Sequence, residues 1–199
     1  MKNYTLICTA AIFIACGEKE NDTALEDTGT EDTALEDTGN IYSFDPTDDF
    51  ENPGGCSDFL FFDRNADDSS LLELRGQGLA ESAHASGEEI SVTYDISELP
   101  EEIGLLIKFG TNLSHELCND APYLEVIVDD SFIPVNGTLT LTVTPNGAST
   151  GIGDYPADLN VIIENSDFCA DIGGGETHHE NCFGVDRYTA TASIGWLPG

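Results

Sequence analysis

Thr138-Leu139-Thr140-Leu141-Thr142-Val143-Thr144 decides the fold class. Apolar and hydroxyl side chains alternate without interruption. A period of two places every apolar residue on one face of an extended strand and every threonine on the other. Asn136-Gly137 before it has the chemistry of a tight hairpin turn. The same alternation recurs outward from this stretch. Glu89–Ile96 sets Ile90, Val92, Tyr94 and Ile96 against Ser91, Thr93 and Asp95. Asp158–Glu164 sets Leu159, Val161 and Ile163 against polar neighbours, and Tyr188–Trp196 sets Tyr188, Ala190, Ala192, Ile194 and Trp196 against Thr189, Thr191 and Ser193. Shorter apolar segments at 57–63, 71–75, 104–109 and 123–128 complete a set of about eight strands, separated by Gly, Pro and Asn turns. Leu79–Ser86 could make one helical turn at most. The expectation is an all-β domain over residues 56–199: an antiparallel β-sandwich whose two half-polar sheets stack their apolar faces inward.

Charge narrows the company such a domain keeps. The 199 residues carry 38 acidic and six basic side chains, a net charge of −32. No basic patch exists to neutralise phosphates, so nucleic acid is excluded as a partner. Electrostatic adhesion to anionic lipid is excluded by the same reasoning. Divalent cations and basic partners remain suitable company.

The N-terminal 55 residues have a different texture. Met1-Lys2-Asn3 is followed by an apolar run from Tyr4 to Ala15, too short to span a bilayer, which needs about 20 residues. It has the length of a signal peptide's hydrophobic region. From residue 17 to 55 there are 13 acids against Lys19. Asp22–Gly29 recurs identically as Asp32–Gly39 with a ten-residue period, and Leu25 and Leu35 are its only large apolar residues. Low hydrophobicity with high charge predicts a disordered tether spanning about 35 Å or more. Asp27-Thr28-Gly29 and Asp37-Thr38-Gly39 spell the triplet of aspartic proteases, but that chemistry needs two carboxylates sharing a proton in an apolar cleft. A polar repeat supplies none.

The end of the apolar run, Phe13-Ile14-Ala15-Cys16-Gly17, resembles the lipobox of bacterial lipoproteins. Ile14, Ala15 and Cys16 fit that pattern, and Phe13 stands where Leu is usual. The resemblance implies a signal peptide over residues 1–15, cleavage before Cys16, and acylation of Cys16, whose chains anchor the protein to a membrane. Gly17 resembles the residue that lets such proteins move on to the outer membrane, and Glu18–Asp22 resembles acidic surface-export signals. Residues 16–55 are then a lipidated cysteine and its linker. The acidic Thr-rich repeat, Cys56-Ser57-Asp58, Asn65–Asp68 and Leu117–Asp120 together resemble small β-domain lipoproteins of Deltaproteobacteria, myxobacteria especially. That group carries no assigned chemistry to this chain.

Cys8 leaves with the leader, and Cys56, Cys118, Cys169 and Cys182 remain. An even set in an exported chain predicts disulfides, and four cysteines allow three pairings. Cys56–Cys118 with Cys169–Cys182 is favoured, because the second pair closes a short Gly-rich loop, worth about 3 kcal/mol.

Asp63-Arg64-Asn65-Ala66-Asp67-Asp68 starts like a calcium loop, with Asp63, Asn65 and Asp67 as oxygen ligands at alternate positions. The Gly and final Glu of an EF-hand are missing, leaving an irregular calcium site, with Asp129 and Asp130 or Asn119 and Asp120, against a plain acidic hairpin turn. His178-His179-Glu180 lacks the second histidine of a zinc-protease helix and follows three glycines. A transition-metal site would have to recruit His84 or His115. No Gly-x-Ser-x-Gly elbow is present. The expectation is a non-enzymatic envelope lipoprotein whose domain binds a protein or glycan partner or organises the envelope. A calcium-dependent carbohydrate-binding module and a sandwich-fold hydrolase are the alternatives.

Overall fold

The structure is a computed structural model, and it describes residues 49–118, 124–149, 153–173 and 176–196; the lipobox, the acidic repeat, Asn119 and Asp120 lie outside them. The elements whose bounds lie among the described residues follow in order: β1 Gly54–Cys56, β2 Leu60–Arg64, β3 Ser70–Arg75, α1 Leu79–Ser86, β4 Ile90–Asp95, the 3-10 turn Ile96–Glu98, β5 Gly104–Thr111, β6 Ile127–Pro134, β7 Thr138–Pro145, β8 Ala157–Gly173 and β9 Glu176–Ile194. Every pairing is antiparallel, in the order β1-β2-β3-β5-β6-β8-β7-β4, with β9 on β8. The fold class is all-β, as the alternation predicts.

The two sheet halves are continuous through β8. Its first half, 157–164, pairs with β7, and its second, 168–170, with β6. The bend between them falls at Asn165, in the left-handed region with φ 51°, and at buried Ser166, whose Oγ has no partner among the described residues. The β6–β7 corner packs into this bend. Asn136 Nδ2 donates to Asp167 Oδ2 and Asn136 Oδ1 accepts from Asp167 N, both at 2.7 Å. Gly137 has φ 101°, and a Cβ there would stand 2.7 Å from Asn165 O and Ser166 Cα. Only glycine supplies both the torsion and the room.

The sheet curls round one core. Leu139, Leu141 and Val143 of β7 and Leu159, Val161 and Ile163 of β8 share a buried cluster with Phe61, Leu72, Leu74, Leu105, Ile107 and Phe132 of the other half. This is the alternation expected from sequence. A second, smaller cluster lies on the opposite face of β2 and β3: Leu71, Leu113 and Leu117, with Leu60, Phe62 and Val126 against them. The segment after β5 therefore covers that face. The Cys56–Cys118 disulfide ties it to β1, and Asp68 accepts from Ser114 N and Oγ at 3.1 Å.

Several boundaries differ from the sequence reading. Residues 49–55 belong to the fold rather than to the linker: Phe50 is buried in the core, and Glu51 N and Asn52 N donate to Arg64 O. The strand expected over 123–128 begins at Ile127 and runs to Pro134. Residues 79–86 form two turns of helix, not one, because Ala80 and Ala83 face the core and the Asp58 carboxylate accepts from Gly78 N, Ala80 N and Glu81 N. The Gly-rich loop expected between Cys169 and Cys182 is instead the far end of the β8–β9 ribbon. The two cysteines face each other across it, with Cα atoms 4.1 Å apart. Phe109, Phe132, Phe168 and Phe183 pack beside this crosslink, with Phe132 and Phe183 centroids 5.1 Å apart.

Candidate functional site

Two buried carboxylates, one on each face of the β2–β3 pair, are the most unusual chemistry in the domain. Asp63 follows Phe61 by two residues, so β2 aims it at the core side, where it is buried. Its Oδ1 accepts from Asn52 N at 2.8 Å and Arg64 N at 2.9 Å, and its Oδ2 accepts from Tyr188 Oη at 2.7 Å. Burial raises the pKa of Asp63, and these hydrogen bonds offset part of the rise. Burial, then the neighbouring charge and hydrogen bond of Asp63, push the Tyr188 hydroxyl upward. The tyrosine remains a donor at any physiological pH. Phe50 meets the Tyr188 ring edge-on at 6.1 Å. The constellation therefore clasps the start of the fold to its last strand.

Glu73 points to the other face and is also buried. Lys108 Nζ donates to its Oε2 at 2.8 Å, and Arg75 Nε pairs with Oε1. Burial opposes its charge, yet Lys108 and Arg75 together hold its pKa below the usual carboxylate value. Both carboxylates have their oxygens engaged by protein donors. Their hydrogen bonds and ion pairs join β2, β3, β5 and β9, an arrangement that fits support of the fold.

The calcium candidates are not brought together. Asp63 is turned inward, while Asn65 and Asp67 organise the β2–β3 turn: Asn65 Oδ1 accepts from Ser69 N and Ser70 N, and Asp67 Oδ1 accepts from Ser69 Oγ at 2.7 Å. The Ser69 hydroxyl holds the Asp67 pKa below its ordinary value. β2 ends at Arg64, so Asp63 keeps the strand's inward direction while Asn65 and Asp67 follow the turn, which the Asp-x-Asn-x-Asp spacing alone does not reveal. Among the described residues no group of three or more His, Cys, Asp or Glu side chains is placed to hold a metal ion. A cleft of about 330 Å³ beside the turn is lined by Asp49, Glu51, Asn65, Ala66 and Asp67. Another of about 470 Å³ borders Asp58, whose carboxylate already occupies the N-terminus of α1. His84 Nε2 lies 2.7 Å from Pro156 O against the Tyr155 ring, and the side chains of His178, His179 and Glu180 lie outside the described residues.

The outer face of β4, β7, β8 and β9 is mostly polar. Register aligns Ser91, Thr142, Asn160 and Thr191 in one row across β4, β7, β8 and β9, and Thr93, Thr140, Ile162 and Thr189 in the next. Hydroxyls join across strands: Ser91 to Thr142 at 3.0 Å, Thr93 to Thr140 at 2.9 Å, and Asn160 Nδ2 to Thr191 Oγ1 at 3.0 Å. Arg187 answers Glu164 at 3.0 Å in the row beyond. Beside this face, β4 ends the sheet and pairs, among the described residues, with β7 alone. Sequence reasoning predicted the face and missed the edge, because strand order is not legible in alternation.

Both expected disulfides are formed. Among the described residues no helix is long and apolar enough to cross a membrane. Comparison of the chain with family models, with curated proteins and with solved structures finds no match.

Proposed function

We propose that this chain is a lipid-anchored lipoprotein of the bacterial envelope, held at the outer membrane by acyl chains on Cys16, whose β-domain serves a binding or structural role without catalysis. The observation that carries the reading is the apolar run ending in Ile14-Ala15-Cys16 and followed at once by an acidic, repetitive segment. The two disulfides support it, since such bonds persist in oxidising compartments. The clasp at Asp63 and Tyr188 supports it too: a domain held by its N-terminus takes load where the chain enters the fold, and there Phe50 and Asn52 are fastened to β2 and β9. The residues between Cys16 and Phe50 act as the spacer. The partner is a protein or glycan of the envelope.

Metabolic labelling with an alkyne fatty acid tests the anchor. Wild type takes up label and partitions with membranes, and Cys16→Ala takes up none. An unlabelled wild type, or label that persists in Cys16→Ala, overturns it.

A further inference from the structure

Among the described residues the outer edge of β4 pairs with no other strand, and it carries a partner class of its own. Ile96 N donates to Gly137 O, which fixes the parity of the β4–β7 ladder. Ile90, Val92 and Tyr94 turn their backbone groups to β7, and Ser91, Thr93 and Asp95 turn theirs outward. β4 pairs with β7 over six residues in unbroken register, and it contains no proline, lysine or bulge, the usual devices that blunt an edge. Val92 and Tyr94, on the inner face, remain half-exposed. The opposite end of the sheet is treated differently: β1 meets the end of β9, with Ser57 N donating to Trp196 O and Gly195 N to Ser57 O.

Charge selects what can pair there. Residues 76–103 contain no lysine or arginine, and Glu88, Glu89, Asp95, Glu98, Glu101 and Glu102 are all exposed. A second copy of this chain would bring one acidic edge without lysine or arginine beside another, and the chain's own acidic repeat would add the same charge. We infer that the β4 edge is a strand-addition site for a basic, extended segment of a partner protein, bound through the backbone of Ser91, Thr93 and Asp95. Apolar side chains of the incoming strand would extend the face of Val92 and Tyr94, and cationic ones would lie beside the polar face and its acids. This deepens the binding role proposed above and is independent of the anchor, which the labelling experiment tests separately.

The test uses the full-length chain and a capped eight-residue peptide of alternating lysine and valine. The expected result is saturable binding that weakens with salt, with new hydrogen-exchange protection at the amides of Ser91, Thr93 and Asp95. The same peptide methylated on every backbone nitrogen keeps its charge and loses the hydrogen bonds, and it should bind about tenfold more weakly or worse. Thr93→Pro removes an outward N–H at an edge position that tolerates proline and should weaken binding equally. Equal binding of the methylated peptide shows adhesion by charge alone and overturns the proposal, whatever the variant does. So does absence of binding, protection elsewhere than β4, or protection already present from self-association without peptide.

Discussion

Removing one hydroxyl tests the clasp. Tyr188→Phe keeps the ring against Phe50 and deletes the donor to Asp63 Oδ2, leaving a buried carboxylate with two of its three hydrogen bonds. A buried charged acceptor stripped of a partner costs about 2 kcal/mol. For a domain of this size that is a fall in melting temperature of about 4–8 °C. The loss depends on pH in a defined direction. Asp63 has a native pKa raised above its ordinary 3.8. A group so shifted contributes stability fully below its unfolded value and loses it as pH rises through the native one. Deleting the hydroxyl that favours its charged form raises the native value further. The difference between wild type and Tyr188→Phe is therefore largest at pH 7 and shrinks below the native pKa of Asp63, where the carboxyl is neutral in both. Urea denaturation at pH 7.5 and at pH 4, with disulfides intact, reads this directly. A variant as stable as wild type at pH 7.5, or a deficit that grows on acidification, refutes the account of the pair.

Three further expectations follow from the same geometry. Replacing Cys56 and Cys118 together by serine, a pair with a sequence separation of 62, should cost about 4 kcal/mol, against about 3 for Cys169 and Cys182 with a separation of 13, as measured by denaturation of the purified variants. Glu73, whose native pKa lies below its ordinary 4.5, stabilises the charged state above that value and loses the contribution as pH falls through the native one; the advantage of wild type over Glu73→Gln should thus disappear on acidification, opposite in sign to the intrinsic trend of Asp63. Gly137→Ala forces a Cβ against Asn165 and Ser166 at φ 101° and should destabilise by about 3 kcal/mol or more, or prevent folding, seen as lost soluble yield and a lowered melting temperature.

How much of this was legible depended on whether the signal was local. The alternation in β4 and β7 needs only its own residues, and both strands lie within two residues of expectation. The continuation of β8 through Asn165-Ser166-Asp167 does not read as strand, because three polar residues look like a turn; what carries the strand past left-handed Asn165 is the pairing of Ser166 and Asp167 with β9. Phe50 was lost among acidic neighbours, since one aromatic has no period. Asp63 shares parity with buried Phe61, a local sign that it points inward. Its partner Tyr188 lies 125 residues away, and no spacing rule joins them. The helix α1 is short enough that its capping carboxylate, Asp58, decides its length, and that residue sits 20 positions before Gly78. The free edge of β4 is a property of strand order, fixed only when β7 pairs with β8 on its other side.

The central claim, that the chain is an anchored lipoprotein, is tested most directly by mass spectrometry of the N-terminal peptide of the protein purified from membranes of its native host. The account requires that peptide to begin at Cys16 and to carry the added mass of acyl chains on that residue. A peptide that begins at Met1 or at any residue after Cys16, or an unmodified Cys16, contradicts it.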